Sequence, residues 1–202
     1  KKSKRILMVG HLIQYHPVFE RLKKEIKKGL IGNVSFIQSN RRSLGKIRSK
    51  ENVIWSFAPH DVAVILRLMG ESPKEASATG GSYLTKGLSD VTVSNLRFEN
   101  ESRAHIFVSW LHPFKEQRLV VVGDSKMAIF NDVAPLGEKL ELYPNSVEFE
   151  GKVPVLRKKD AQFVSHLDTE PLREECRHFL DCISSRQQPL TDAHSGIEAL
   201  KV

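Results

Sequence analysis

No apolar run in this chain approaches the roughly 20 residues that a membrane helix needs. Lys1-Lys2-Ser3-Lys4-Arg5 leads into only four apolar residues, too short a core for a signal peptide, and a cytoplasmic location is expected. Cysteine is scarce. Cys176 and Cys182 fall six apart in one expected helix, point in different directions and cannot readily bridge, so both are read as reduced core residues. Aromatic residues are only 7%, the basic residues fall in separate groups, and no zinc-finger, RNP-type or basic-zipper pattern occurs. These absences weigh against nucleic acid as the partner, although a net charge of +7 asks for an anionic one. There is no G-x-G-x-x-G and no G-x-x-x-x-G-K-[ST], hence no loop that cradles a phosphate. Glu175, Cys176 and His178 lack the spacing of converging ligands, and no metal is expected.

What is present is an ordinary globular composition, 40% hydrophobic and 27% charged over 202 residues, organised around Asn52 to Gly70. Pro59 fits the first position of a helix and Gly70 its far end, while Val62, Ala63, Val64, Ile65, Leu66, Leu68 and Met69 make it apolar on nearly every face. Such a helix belongs inside a core. On this reading His60 and Asp61 stand in its first turn.

Upstream, Ile6 to Val9 reads as a strand buried on both faces, followed by a loop and a helix opened by Pro17 and closed by Gly29. That is the last βα unit of an α/β domain whose other strands would lie in front of it. From Gly32 the pattern turns to strands: Asn33 to Ser39, Ala76 to Leu84, Val91 to Phe98, Ala104 to Leu111, Arg118 to Val122, Lys126 to Phe130, Lys139 to Tyr143 and Val147 to Phe149. Turn signals at Glu99-Asn100 and Gly123-Asp124 favour hairpins. A helix over Thr169 to Arg186 carries a stripe of Leu172, Cys176, Phe179, Leu180 and Ile183, and Thr191 or Asp192 caps a further short helix. The expected class is α+β, a large, mostly antiparallel open sheet with helices on one face. Residues 1–30 are the remnant of a truncated Rossmann domain and residues 31–202 a second domain.

His60 has two readings. It either caps the first turn, or acts as a general base kept neutral by the positive end of the helix dipole. Asp61 beside it complements that dipole. Gln14-Tyr15-His16 follow a buried strand, where open α/β sheets bind ligands, or form an ordinary polar loop. Asn40, Arg41, Lys46 and Arg48 offer a phosphate or carboxylate site, or simply a solvated face.

The Val9-Gly10 strand end, Gln14-Tyr15-His16-Pro17, Gly32-Asn33-Val34 and Ala58-Pro59-His60-Asp61 follow one another as in the glucose-fructose oxidoreductase and inositol dehydrogenase family (Gfo/Idh/MocA), which the whole chain resembles. Ser39-Asn40-Arg41, Leu44-Gly45-Lys46-Ile47-Arg48, Trp55 to Asp61 and His105 to Gln117 are similar to stretches of its members that oxidise C3 of UDP-N-acetylglucosamine or its uronate. The resemblance implies an NAD-dependent (or NADP-dependent) dehydrogenase with His60 as catalytic base. It implies a substrate site drawn from Gln14, Tyr15, His16, Asn40, Arg41, Lys46, Arg48, Trp55 and Asp61, and a cofactor contact at His11 and Gln14. The cofactor is held mainly by the N-terminal Rossmann domain. That domain would also carry a catalytic lysine, which this chain lacks, and the aspartate common four residues before the histidine is here Ser56. A homodimer or homotetramer is expected through the open sheet face, with Trp110 among the residues supplying it. The alternative is a non-catalytic interaction module using the basic loops.

Overall fold

The computed structural model describes residues 5–144 and 146–202, so Lys1 to Lys4 of the basic N-terminus lie outside it. In chain order come a short 3-10 helix Leu12–Tyr15, α1 Pro17–Lys27, β1 Val34–Arg42, α2 Val53–Met69, β2 Glu75–Gly81, β3 Val91–Arg97, β4 Arg103–Ser109, β5 Glu116–Gly123, β6 Met127–Asn131 and β7 Leu140–Tyr143. Then follow β8 Ser146–Glu150, β9 Val153–Arg157, β10 Gln162–Phe163, α3 Pro171–Ser185 and α4 Ala193–Lys201. Eight strands form one sheet in the order β10-β7-β6-β5-β1-β4-β3-β2. Every neighbouring pair is antiparallel except β1 with β4, where Ile37 pairs with Ala104 and Ser39 with Ile106. β8 and β9 make a separate hairpin whose second strand the sequence reading passes over.

Period-two alternation sorts the sheet residues. Ile37, Ala104, Ile106, Val108, Leu119, Val121, Ala128, Phe130, Leu140 and Leu142 are buried in one core with Val18, Phe19 and Leu22 of α1 and Val62 to Ile65 of α2. α1 and the 3-10 helix therefore belong to the same packed unit as the sheet. The alternate residues, among them Phe36, Phe107, Val120 and Ile129, are half-buried on the open face.

α2 begins six residues earlier than Pro59 implies. Asn52 is the N-cap, its side chain accepting from the Trp55 N–H at 3.1 Å, and Pro59 sits inside the helix. An interior proline costs roughly 3 kcal/mol. Burial of Val53, Val62, Val64 and Ile65, each worth about 1.5–3 kcal/mol, outweighs that cost, so packing overrides the local signal. Gly70 ends the helix in the left-handed region at φ 73°, as the sequence implies.

Four other expectations change. Ile6 to Val9 forms no strand; Val9 N–H donates to Thr191 O at 2.7 Å and no ladder adjoins it among the described residues. Trp110 lies past the end of β4, fully buried, with Nε1 donating to Asp90 Oδ1 at 2.5 Å, and cannot supply the open face. Cys182 is buried but Cys176 is exposed. The stripe on α3 faces outward, with Leu172 and Leu180 more than half exposed, because α3 packs on the 3-10 helix through Glu175 and Cys182. That face lies roughly a quarter turn round the helix from the stripe.

Asn52→Ala separates the two possible helix starts. If Asn52 caps α2, the substitution lowers unfolding free energy by about 1 kcal/mol, read from the urea midpoint at unchanged slope. No loss of stability is expected if the helix begins at Pro59.

Candidate active site

β1 and α2 are joined by one carboxylate. Asp61 is 4% exposed and accepts from Ser39 Oγ at 2.6 Å, Arg41 Nε at 2.7 Å and Arg41 Nη2 at 3.3 Å. Ser39 and Arg41 reach α2 because they share the core face of β1. Asn40, between them, points to the opposite face and donates to Glu116 Oε1 at 3.3 Å. The pairing continues across the sheet through Gln117. Its amide is oriented so that Oε1 accepts from Arg41 Nη1 at 3.2 Å and Nε2 donates to Asp132 Oδ2 at 3.0 Å. Asp132 also accepts from Lys139 Nζ at 3.0 Å. His16 completes the string: its Nδ1 accepts from the Val18 N–H at 3.1 Å, so Nε2 carries the proton, 3.2 Å from Asp132 Oδ1.

His60 projects from α2 toward the 3-10 helix, and its ring meets His11 edge to face at 6.2 Å between centroids. It does not stand in a first turn, so the helix dipole is not what keeps it neutral. Burial is the first cause and the nearby Arg41 charge the second; together they push the imidazole below its ordinary value, against the opposing pull of Asp61. Its Nδ1 is buried without a hydrogen-bond partner. Ser56, one turn earlier, supplies no acceptor to that atom. His11, 6% exposed, is lowered by burial and then by His60, and its Nε2 is likewise buried and unpartnered.

The remaining candidates divide into those held by the fold and those left open. Gln14 is fully engaged, Nε2 donating to Ala63 O at 3.2 Å and Oε1 accepting from Arg67 Nη1 at 3.2 Å. Tyr15 is buried, its hydroxyl 2.8 Å from Thr191 Oγ1 and its ring 5.4 Å from that of His178. Gln14, Tyr15 and His16 thus fasten the N-terminal segment to α2, α3 and the sheet. Lys46 is exposed, and Arg48 is half-exposed beside Glu51 at 3.3 Å. Trp55, 57% exposed, lines a cleft of about 270 Å³ with Pro59, Val62, Ser94, Ala199 and Leu200; His60 is not among its walls. Sequence reasoning misses Gln117, Asp132 and Ser39. Only the alternation that places Ser39 on the face shared with Arg41 was available as a signal.

Residues 19–129 match the model of the GFO/IDH/MocA C-terminal domain. The chain belongs to the GFO/IDH/MocA family. A 2,7-anhydro-N-acetylneuraminate hydratase of Mediterraneibacter gnavus is 27% identical over 152 residues, which cover 68% of this chain and 40% of that protein. Among solved structures, the UDP-N-acetylglucosamine 3-dehydrogenase GnnA of Acidithiobacillus ferrooxidans superposes with a TM-score of 0.81 at 20% identity, over 99% of this chain and 61% of that one. A protein of Magnetospirillum magnetotacticum assigned as an oxidoreductase gives 0.82 at 25% identity, over 100% of this chain and 63% of that one. The chain therefore spans about three-fifths of the length of these GFO/IDH/MocA structures and two-fifths of that of the hydratase. The eight-stranded sheet and its helices match the C-terminal domain of this family. No helix among the described residues is long and apolar enough to cross a membrane.

Asp132 gives the site a pH signature. His16 first, then Lys139, hold its carboxyl far below the ordinary carboxylate range, against burial. A depressed folded-state value contributes stability that is present above the unfolded value near 4 and lost as pH falls below it. Between pH 6 and 2.5 the wild-type urea midpoint is expected to fall more steeply than that of Asp132→Asn. Parallel midpoint curves would remove Asp132 from the acid response.

Proposed function

We propose that this chain is the substrate domain of an NAD-dependent or NADP-dependent oxidoreductase that oxidises a hydroxyl, at C3, of a UDP-N-acetylhexosamine or its uronate. The observation that carries this reading is His60: an imidazole kept neutral by burial and Arg41, whose Nδ1 has no hydrogen-bond partner, as suits a base that must take a hydroxyl proton. Family membership supports redox chemistry. The named relatives support the substrate class, since UDP-N-acetylglucosamine and an anhydro-N-acetylneuraminate are both N-acetylated sugars carrying negative charge.

The residues present fit the cofactor at one point. The side chain beside His60 that can meet it is that of His11, whose ring stands 6.2 Å from the His60 ring, whereas both ends of the Gln14 amide are taken up within the chain. When bound, the nicotinamide supplies the hydride acceptor. His60 takes the hydroxyl proton, Asp61 and Arg41 hold α2 in place, and the 3-10 helix covers the imidazole from bulk water. The half-buried Phe36, Phe107, Val120 and Ile129 on the open sheet face support association of copies through it as a dimer or tetramer.

Two kinetic outcomes test the reading in the full-length enzyme. His60→Asn should retain substrate binding and lower kcat by about 10²–10⁴-fold; turnover within a few-fold of wild type would leave His60 without a chemical role. Arg48→Ala and Lys46→Ala should raise KM for the sugar nucleotide roughly tenfold or more with kcat nearly unchanged, if the exposed basic loop holds the diphosphate. An unmoved KM in both variants would make the loop a solvated surface.

A further inference from the structure

Removing one hydroxyl proton needs one base, yet His60 shares its surroundings with a second neutral imidazole. His11 and His60 come from different elements and meet at 87°, 6.2 Å between ring centroids. At that separation a charge on one ring is felt by the other, and a single oxygen between them is enough to pass a proton. Each ring has a nitrogen that is buried and bonded to nothing, His11 Nε2 and His60 Nδ1. His16, in the same segment, has both ring nitrogens paired.

We propose that His11 is a second acid–base group of the site: His60 and His11 hold one proton between them, and the proton His60 takes from the substrate hydroxyl is handed to His11. The source of the proton rests on the dehydrogenase reading above; the coupling of the two rings does not. The substrate O–H bond breaks and its electron pair stays on oxygen. An N–H bond forms on His60, which breaks in turn as one forms on His11, and His60 is again neutral. The acceptor for the carbon-bound hydrogen and its electron pair would be the nicotinamide when it is bound.

The surrounding charges explain why one proton, not two, is shared. Arg41 from β1 is positive and lies near His60. Asp61 on α2 is already matched by Arg41. Glu175 from α3, whose Oε1 stands against Gly10, has its carboxyl pushed up by burial and no partner for that oxygen. A second proton on the pair would place two cations side by side in a desolvated space.

The test is nitrogen-15 NMR titration of the imidazoles in this chain, followed by kinetics of the full-length enzyme. Both rings should titrate below 6.5, His11→Asn should raise the His60 midpoint by about one unit, and His60→Asn should raise that of His11 by a similar amount. Should His11→Asn fail to fold, the wild-type titration itself decides: coupled rings give a two-step curve at each, independent rings a single step. In the enzyme, His11→Asn should shift the acidic limb of the kcat profile toward higher pH while leaving KM for the sugar nucleotide within a few-fold. Midpoints indifferent to the other ring, with single-step curves, would overturn the proposal. Coupled rings in an enzyme that oxidises no sugar would leave the pair standing and remove the dehydrogenase reading instead.

Discussion

The buried Asp61 carboxylate is the constraint on which the rest of the site depends. It takes a hydroxyl and two guanidinium donors from β1, at 2.6, 2.7 and 3.3 Å, and so fixes the rotation of α2 against the middle of the sheet. His60, the preceding residue, has its backbone position set once Asp61 is held. Replacing such a pair with apolar residues is often neutral or stabilising, whereas removing one partner leaves a bare buried charge and costs about 3–5 kcal/mol. Its contribution is placement more than stability. It sets which way the imidazole faces and keeps Arg41 close enough to hold that imidazole neutral.

Beyond Arg41 the same string reaches the far side of the sheet. Gln117 joins Arg41 to Asp132, and Asp132 joins His16 at the cap of α1. The segment that carries His11 is therefore tied at three places: by Gln14 to α2, by Tyr15 to Thr191, and by His16 to the loop after β6. Three buried ties on three successive residues make the wall of the site rigid although it is built from a short 3-10 helix. A site on a loop needs this support if its geometry is to be reproducible.

How far the sequence could be read depended on the kind of signal. Strand alternation located the sheet, since Ile37, Ile106 and Val121 fall on one face wherever the precise ends lie. The neutrality of His60 followed from the sequence for the wrong reason. Pro59 suggested a helix start and hence a dipole, whereas the shift comes from burial and from Arg41, a residue whose proximity is set only by the register of β1 against α2. At Ile6 to Val9 an apolar run says that the segment can be buried, not that ladder partners adjoin it within this chain. The α3 stripe shows the same limit. Its spacing was read correctly, yet Glu175 and Cys182 are the buried residues of α3, and Leu172, Leu180 and Ile183 are exposed in this chain.

The filled coordination of Arg41 also bears on what the site can hold. Arginine binds phosphate or carboxylate through its planar fork, and the fork of Arg41 already faces Asp61, with its remaining amino group on Gln117. An anionic substrate reaching Arg41 would have to displace a charge-assisted, desolvated carboxylate with a group that arrives fully hydrated, and would strand Asp61 in doing so. Lys46 and Arg48 carry no such obstacle: one is exposed and the other has only a half-exposed, solvent-screened partner in Glu51, an interaction worth at most about 1 kcal/mol. Charge in this chain is thereby divided by burial. Burial first and the buried cation second lower the imidazole, and the exposed cations before α2 remain available to an anion from solution.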